Sequence, residues 1–390
     1  MAGADTVVRD LIIKILEENK VRPKNLDITP ICTDGANYTT SLYSLKVDTE
    51  DESLDLFAKV ALISEEMRKQ MNADLFYKTE SFVYLTLVKI FEAIQTKYDV
   101  PEEHRFVFPK CYGISQEKGQ ETVVLENLMA KGYNLYNRFN SMDWEHASIS
   151  VEQLAKFHAL SFAYDRENPK EFKELIAAMV YRVGYEDKDN EQMLAVWMTM
   201  VDRAVSVVDE EHKDKVRDLM MQKELLEKFN KPDAKPVLCH GDYRLSNILF
   251  RRKGNTLRAI PVDYQTVYSG CPPGDLIYFI FMGSDEEFRR QHYHRLVDHY
   301  YDHLGQALRR LGIDCVDVYP RETFDEHMKE ILPYALFLGV AILPVVTVEA
   351  ESAPRMDGEA DISTFIVETN ALYASRFQGI VNDCVRWGII

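Results

Sequence analysis

The chain has 390 residues, 46% of them hydrophobic and 28% charged, a length that can bury a large core in two sub-domains. That balance is ordinary for a globular protein and excludes a fibrous or disordered chain. Lys and Arg number 46 against 63 Asp and Glu, a net charge of −17 with no basic patch, which argues against nucleic acid or an anionic membrane surface as the main partner.

Residues 5–19 set Val8, Leu11, Ile12, Ile15 and Leu16 on one stripe, which predicts a helix ended by Pro23. A strand at 28–33, the small-residue stretch DGANYTTS at 34–41 and a strand at 42–47 follow. This pattern suits a loop that closes over phosphates through backbone N–H groups, and it reads equally as an ordinary hairpin. The acidic turn DTEDESLD (48–55) leads into LFAKVAL (56–62), where apolar residues surround Lys59. Such a lysine either points outward or aims its ammonium at nucleotide phosphates, and the second role needs a carboxylate partner. A helix over roughly 64–96 offers one. Phe76, Glu80, Val83, Leu87 and Phe91 are spaced by three and four, so Glu80 interrupts an apolar face where an unpaired charge is expensive. Pairing Glu80 with Lys59 resolves both oddities; Glu65, Glu66 and Asp74 read as solvated. FPKCYGIS (108–115) and ETVVLENL (121–128) complete a five-stranded sheet, and 128–140 forms a crossing with Gly132 as its pivot.

From residue 143 the chain reads as mostly helical. On the amphipathic stretch 151–164, His158 reads as a satisfied histidine of a packed helix rather than a ligand. Residues 166–236 form charged helices in which Met193, Trp197 and Met198 are at helical spacing; core packing is the default there and a substrate wall the alternative. In VLCHGDYRLSNILFRRKGNTLRAIPVD (237–263), two apolar runs flank a turn at Gly254 and Asn255, a β-hairpin that folds Asn247 back beside Asp263. Asp242 lies one loop upstream of the same end. Pro261 cannot donate to a ladder and requires an edge or bulge position. Two oxygen ligands suit a hard cation shared with phosphates, and Asp242 can reach a substrate hydroxyl beside it, the layout of phosphoryl transfer from a nucleotide. The PPG turn after 271 starts a helix that Asp275 caps. Helices at 285–311 and 322–350, a loop at 352–364 and a closing helix at 365–387 complete the chain. The apolar run at 336–348 is too short to span a bilayer and reads as a buried helix. The six cysteines (Cys32, Cys111, Cys239, Cys271, Cys315, Cys384) form no CxxC pair, so neither a disulfide scaffold nor a zinc site is expected from them, and reduced thiols in the cytoplasm are. Charges interrupt the apolar residues of MAGADTVVRDLIIKILEENK, so no signal peptide is expected.

HGDYRLSN followed by VDYQ resembles the catalytic segment of the choline-kinase-like and aminoglycoside-phosphotransferase-like small-molecule kinases, and within that group the ecdysteroid-kinase-like (CHK kinase-like) proteins. His240, Gly241, Asp242, Asn247, Asp263, Tyr264 and Gln265 match the pattern. The resemblance implies an α+β, bilobal protein-kinase-like fold. Residues 1–127 would form an N-lobe with a five-stranded antiparallel sheet, and 128–390 a mainly helical C-lobe with the catalytic loop and the acceptor site. ATP and Mg²⁺ are the cofactors it implies. Gly35, Asn37, Thr39, Thr40 and Ser41 would lie nearest the phosphates, Lys59 held by Glu80 would anchor them, and Asn247 and Asp263 would hold Mg²⁺. VVLENL resembles the hinge between kinase lobes, where Glu126, Asn127 and Leu128 would meet adenine through main chain. Asp275 would brace the catalytic loop from below.

HGD in place of the HRD of protein kinases leaves no arginine beside Asp242 to receive an activation-loop phosphate. DYQ runs directly into PPGD, so no room remains for a segment that docks a peptide, and a small-molecule alcohol is expected as acceptor rather than a protein. The resemblance suggests an ecdysteroid or another hydroxylated lipophile, with a choline- or ethanolamine-type acceptor as the alternative. A pseudokinase scaffold would normally have lost Lys59, Asp242, Asn247 or Asp263, and all four are present. A metallohydrolase built on His240, Asp242 and Asp263 lacks the further histidines that two-metal hydrolytic sites need.

Overall fold

A computed structural model of the chain describes residues 2–31, 40–61, 65–70, 72–179, 191–222, 235–349 and 366–390. Helix α1 (Ala2–Glu18) buries Val8, Leu11, Ile12, Ile15 and Leu16, as their spacing predicts. They pack on a sheet of β1 (Asn25–Pro30), β2 (Ser41–Asp48), β3 (Ser53–Val60), β4 (Cys111–Ser115) and β5 (Thr122–Glu126). All neighbours are antiparallel, in the order β1-β2-β3-β5-β4, so the expected five-stranded sheet is present. Leu56, Ala58 and Val60 of β3 belong to the core beneath α1. The alternation of a strand therefore sends Lys59 to the opposite face. Lys59 is central in the sheet, opposite Leu42 on one side and Val123 on the other.

The single helix expected over 64–96 is instead broken. It divides into α2 (Glu65–Gln70), α3 (Ala73–Phe82), a π-helical turn at Val83–Leu87 and α4 (Val88–Lys97). Asn72 takes a left-handed conformation at φ 50°, which no helix interior tolerates and which Asn adopts more readily than most residues. Arg68 explains why the short α2 stays docked. Its guanidinium is buried, binds Glu121 through both terminal nitrogens (2.7 and 2.8 Å) and reaches Asp74 at 2.7 Å. Asp74 is thus an ion-pair partner and not simply a solvated acid.

Beyond β5, Gly132 turns the chain at φ +81° into β6 (Asn134–Leu135). The helices α5 (Trp144–Glu167), α6 (Pro169–Ala178), α7 (Glu191–Ser206) and α8 (Lys213–Met220) follow. Asp143 caps α5 by accepting from the His146 N–H at 2.9 Å. The region from 237 opens with β7 (Val237–Cys239) and the hairpin β8 (Ile248–Lys253) and β9 (Thr256–Pro261), paired from Ile248–Pro261 to Lys253–Thr256. Its turn needs the positive φ that Gly254 supplies (+59°). β6 pairs with the free side of β8, which leaves β9 as the edge and gives Pro261 the position a proline requires. β10 (Tyr268–Gly270) pairs with β7 and leads into α9 (Pro272–Gly283).

Next come α10 (Glu286–Arg310), α11 (Cys315–Val318), α12 (Arg321–Ile331), α13 (Tyr334–Ala341), α14 (Leu343–Thr347) and α15 (Ala371–Arg386). The expected helix at 322–350 is thus three helices, with Pro333 and Pro344 at the starts of the second and third. Asp285 and Asn370 cap α10 and α15. Trp197 stacks on Phe337 and donates its indole N–H to the Met220 carbonyl (3.1 Å), so it packs in the core; Met198 is exposed, and the side chain of Met193 is outside the described residues. Cys111, Cys239, Cys271, Cys315 and Cys384 are free thiols. Among the described residues no helix is long and apolar enough to cross a membrane.

The closing helix is held by charge as well as by packing. Arg289 of α10 and Asp383 of α15 form an ion pair with neither side chain exposed to solvent, and Arg386 takes the second carboxylate oxygen. Removing one partner strands the other charge in the core. Asp383→Ala is expected to lower the free energy of unfolding by about 3–5 kcal/mol in a urea titration, whereas Arg321→Ala, which breaks exposed pairs to Asp298 and Asp325, should cost about 1 kcal/mol or less.

Candidate active site

The site assembles around one buried carboxylate that caps nothing. The N-cap of α9 is Cys271, without a side-chain cap, which corrects the expectation that Asp275 plays that part. Asp275 instead accepts from the backbone N–H groups of His240 (2.6 Å) and Gly241 (2.9 Å) and from Nε2 of His158 (3.1 Å). The Tyr300 hydroxyl meets Nδ1 of His158 at 2.7 Å, and both of these side chains are fully buried. His158 is therefore part of a structural relay from α10 through α5 to the loop after β7. Gly241 is required where it stands. Its φ is +84°, and an added Cβ would meet the Thr266 carbonyl oxygen at 2.2 Å. Nε2 of His240 donates to the Val262 carbonyl at 3.1 Å, which ties the loop to the end of β9. Burial pushes the His240 imidazole below its ordinary value, against the opposing charge of Asp275. A neutral ring that donates from Nε2 leaves Nδ1 without a proton, and that atom is buried without a partner. His240 is thus spent on structure.

The loop delivers Asp242 into a dense set of donors. Tyr278, one turn beyond Asp275 on α9, donates its hydroxyl to Oδ1 at 2.6 Å. Asn247 donates its amide to Oδ2 at 2.8 Å and to the Asp242 carbonyl at 2.9 Å. Nε of Arg244 reaches the same carboxylate at 2.9 Å from Oδ1 and 3.1 Å from Oδ2. Burial alone would raise the Asp242 carboxyl, but the Arg244 guanidinium and the Tyr278 hydroxyl outweigh it and hold it below the usual carboxylate value.

On the other side stands a second cluster. Nζ of Lys59 lies 2.6 Å from Oδ1 of Asp263 and 3.1 Å from the Glu80 carboxylate. Burial opposes the ammonium, yet the two acids raise it well above its ordinary value. Burial likewise raises the Glu80 carboxyl, against the pull of Lys59. The expected pairing of Lys59 with Glu80 is present, and Asp263 joins it. Asp263 is held by its neighbours rather than by its own preference. It sits at φ 69°, where a non-glycine residue is strained. The next residue, Tyr264, is driven into an aromatic cluster with Tyr84, Phe108, Phe157 and His240, at ring separations of 5.0–6.2 Å. Its hydroxyl bonds the Pro261 carbonyl (3.0 Å). The Val262 N–H bonds the Asn247 carbonyl at 2.9 Å, so the two clusters meet through the end of the hairpin.

The remaining sequence candidates divide. Thr40 lines a small pocket with Lys59, Tyr77, Glu80 and Glu121, and Ser41 opens β2 opposite Val60. Gly35, Asn37 and Thr39 lie outside the described residues. Glu126 closes β5, and Asn127 and Leu128 follow it. The N–H groups of Glu126 and Asn127 already donate to the Lys110 and Asp55 carbonyls (2.9 and 3.0 Å), while Leu128 is buried against Tyr133 and Ile260. Sequence reasoning passed over Arg244 and Tyr278. Their signals were a cation between the buried Tyr243 and Leu245, and a hydroxyl three residues after Asp275 on one helix.

The donor chemistry fits a hard divalent cation. The Asn247 amide nitrogen is turned to Asp242, which leaves its oxygen as the ligand atom, and the Asp263 carboxylate already holds a cation in the ammonium of Lys59.

An uncharacterized kinase-like protein of Caenorhabditis elegans is 28% identical over 156 residues, 39% of this chain and 39% of that protein, so the match spans about two-fifths of the relative's length. Among solved structures, a Plasmodium vivax ethanolamine kinase is similar at 14% identity and a TM-score of 0.44, covering 92% of this chain and 82% of that chain. A microcompartment-associated aminopropanol kinase is similar at 12% identity and a TM-score of 0.41, covering 94% and 93%. The sequence model of the ecdysteroid kinase-like family matches residues 34–313, a span that contains Lys59, Glu80, Asp242, Asn247 and Asp263. The chain belongs to the ecdysteroid kinase-like family.

Proposed function

We propose that the chain transfers the γ-phosphoryl group of ATP to a hydroxyl of a small molecule, an ecdysteroid or another hydroxylated lipophile. One observation carries the reading: a carboxylate held below its usual range by Arg244 and Tyr278 is hydrogen-bonded to Asn247, whose main-chain carbonyl takes the Val262 N–H next to Asp263, and Asp263 shares Lys59 with Glu80. Family membership supports the reaction class and the acceptor class. In this reading residues 1–127 are the nucleotide-binding lobe and 128–390 the catalytic and acceptor lobe. In the same reading the protein works in the cytoplasm, a compartment that keeps thiols such as Cys239 and Cys271 reduced.

Bound ATP would supply the phosphoryl group, and bound Mg²⁺ would neutralise its charge through Asn247 and Asp263. Lys59, fixed by Glu80, exchanges part of its contact with Asp263 for the α- and β-phosphates. Asp242 orients the acceptor hydroxyl and takes its proton as the oxygen bonds to phosphorus and the bond to the β-phosphate oxygen breaks. Arg244 keeps Asp242 ionised and places a cation beside the transferring group. The residues act by position and charge, not by covalent chemistry. Thr40 and Ser41 close the phosphate side, and the main chain at Glu126 to Leu128 faces adenine.

The test is ATP-dependent mass gain of a panel of ecdysteroids, other hydroxylated lipophiles, choline and ethanolamine. Asp242→Asn is expected to lower kcat about 10²–10⁴-fold. Wild-type turnover by that variant would overturn the mechanism, and exclusive use of choline or ethanolamine would overturn the acceptor.

The pH profile tests the charge balance. A depressed Asp242 pKa keeps the base active as pH falls, so the acid limb of kcat/KM belongs below the ordinary carboxylate range. Arg244→Ala and Tyr278→Phe each remove an influence that lowers it, so both should move the acid limb to higher pH, Arg244→Ala further. An unmoved limb in both variants would show that some other group sets it.

A further inference from the structure

We propose a second metal site, for Zn²⁺ or a similar transition-metal ion, at the seam between α5 and α10. His299 and His303 are four residues apart on α10, so they lie on one face, one turn apart. Glu152 comes from the facing helix α5. Its Oε1 stands 2.9 Å from Nε2 of His299 and 3.7 Å from Nε2 of His303, and the candidate ligand atoms of all three residues lie within 4.8 Å of one another. Ligand atoms of a tetrahedral zinc with bonds of about 2.0–2.1 Å are roughly 3.3 Å apart, a value that the two observed distances bracket. All three side chains are about one-quarter exposed, so an ion can enter and a water can complete the shell. Two imidazoles at helical spacing and one carboxylate are the donor set of three-ligand zinc sites.

The surroundings select the class of ion. Lys156 follows Glu152 by one turn, and Arg310 is near enough to act on both Lys156 and His303. Positive neighbours disfavour a hard ion held by charge, such as Mg²⁺ or Ca²⁺, and leave the imidazoles to provide the affinity, which favours zinc, copper or nickel. Trp144 meets the His299 ring edge-on at 5.7 Å and is itself covered by Arg295, which limits the rotation of that imidazole.

The location gives the site a consequence. Tyr300, between the two histidines in sequence, belongs to the buried relay through His158 to Asp275 and the catalytic loop. An ion that pins Glu152 to His299 and His303 therefore pins the same helix pair that carries the relay.

The experiment uses the full chain with any affinity tag removed, stripped of metal and held in excess Mg²⁺ to keep oxygen-ligand sites occupied. Zn²⁺ is added in competition with a chromophoric chelator. One equivalent should bind, and His303→Ala and Glu152→Gln should each weaken binding by about tenfold or more, while the exposed His294→Ala should not. Melting temperature should rise with Zn²⁺ in the wild type and stay fixed in His303→Ala. Zinc-edge absorption of the wild type needs no variant and should report two imidazole ligands. Failure to retain Zn²⁺, equal affinity in the variants, or an all-oxygen shell would each overturn the proposal.

Discussion

The carboxylate of Asp275 is the constraint on which the catalytic loop depends. A buried acid is expensive unless its lone pairs are filled, and three N–H groups fill them here: two from the loop and one from His158. The exchange works in both directions. The loop's backbone donors would otherwise be buried without partners, and so would the oxygens of the acid. The glycine at 241 makes this possible, because only a residue without a Cβ can turn at that φ beneath the Thr266 carbonyl. The position of Asp242 is thus fixed by the backbone geometry of the two residues before it.

Around that frame the site is a balance of opposite charges in little water. Lys59 answers two acids, and Asp242 answers a guanidinium, a carboxamide and a phenol. Neither cluster is a stability device; buried pairs of this kind roughly break even against desolvation. Their value is preorganisation, since fixed charges at short range need not reorient when a phosphate arrives. The strain at Asp263 fits the same account. Its left-handed backbone is maintained by the aromatic packing of Tyr264 and by the hydrogen bonds at the hairpin end, so that folding energy holds a polar residue where it would not settle unaided.

The elements that read most clearly were those whose periodicity or turn chemistry stood alone. The stripe of α1, the alternation around Lys59, the Gly254 turn and the edge position of Pro261 all follow from local rules. The misreadings came where a local rule met a tertiary partner. The helix at 64–96 breaks because Asn72 turns left-handed and Arg68 finds Glu121, a residue far away in sequence. Asp275 has the look of a cap at the start of a helix and is not one; the loop after β7 claims its oxygens, the bracing that the family resemblance implied. Glycine replaces the arginine of HRD before Asp242, and sequence reasoning passed over Arg244, whose side chain reaches back to that carboxylate.

By itself the sequence determined the chemistry of the donors: an acid, an amide and an acid around a hairpin, and a lysine with one glutamate in reach. Those features rest on residue identity and short spacings, which the chain carries wherever it goes. Only the tertiary structure decided who shares each charge. Asp263 on Lys59, Tyr278 and Arg244 on Asp242, and Glu152 between two histidines are meetings of separate elements. Electrostatic energy depends on separation and burial, and neither is written in the order of residues along the chain.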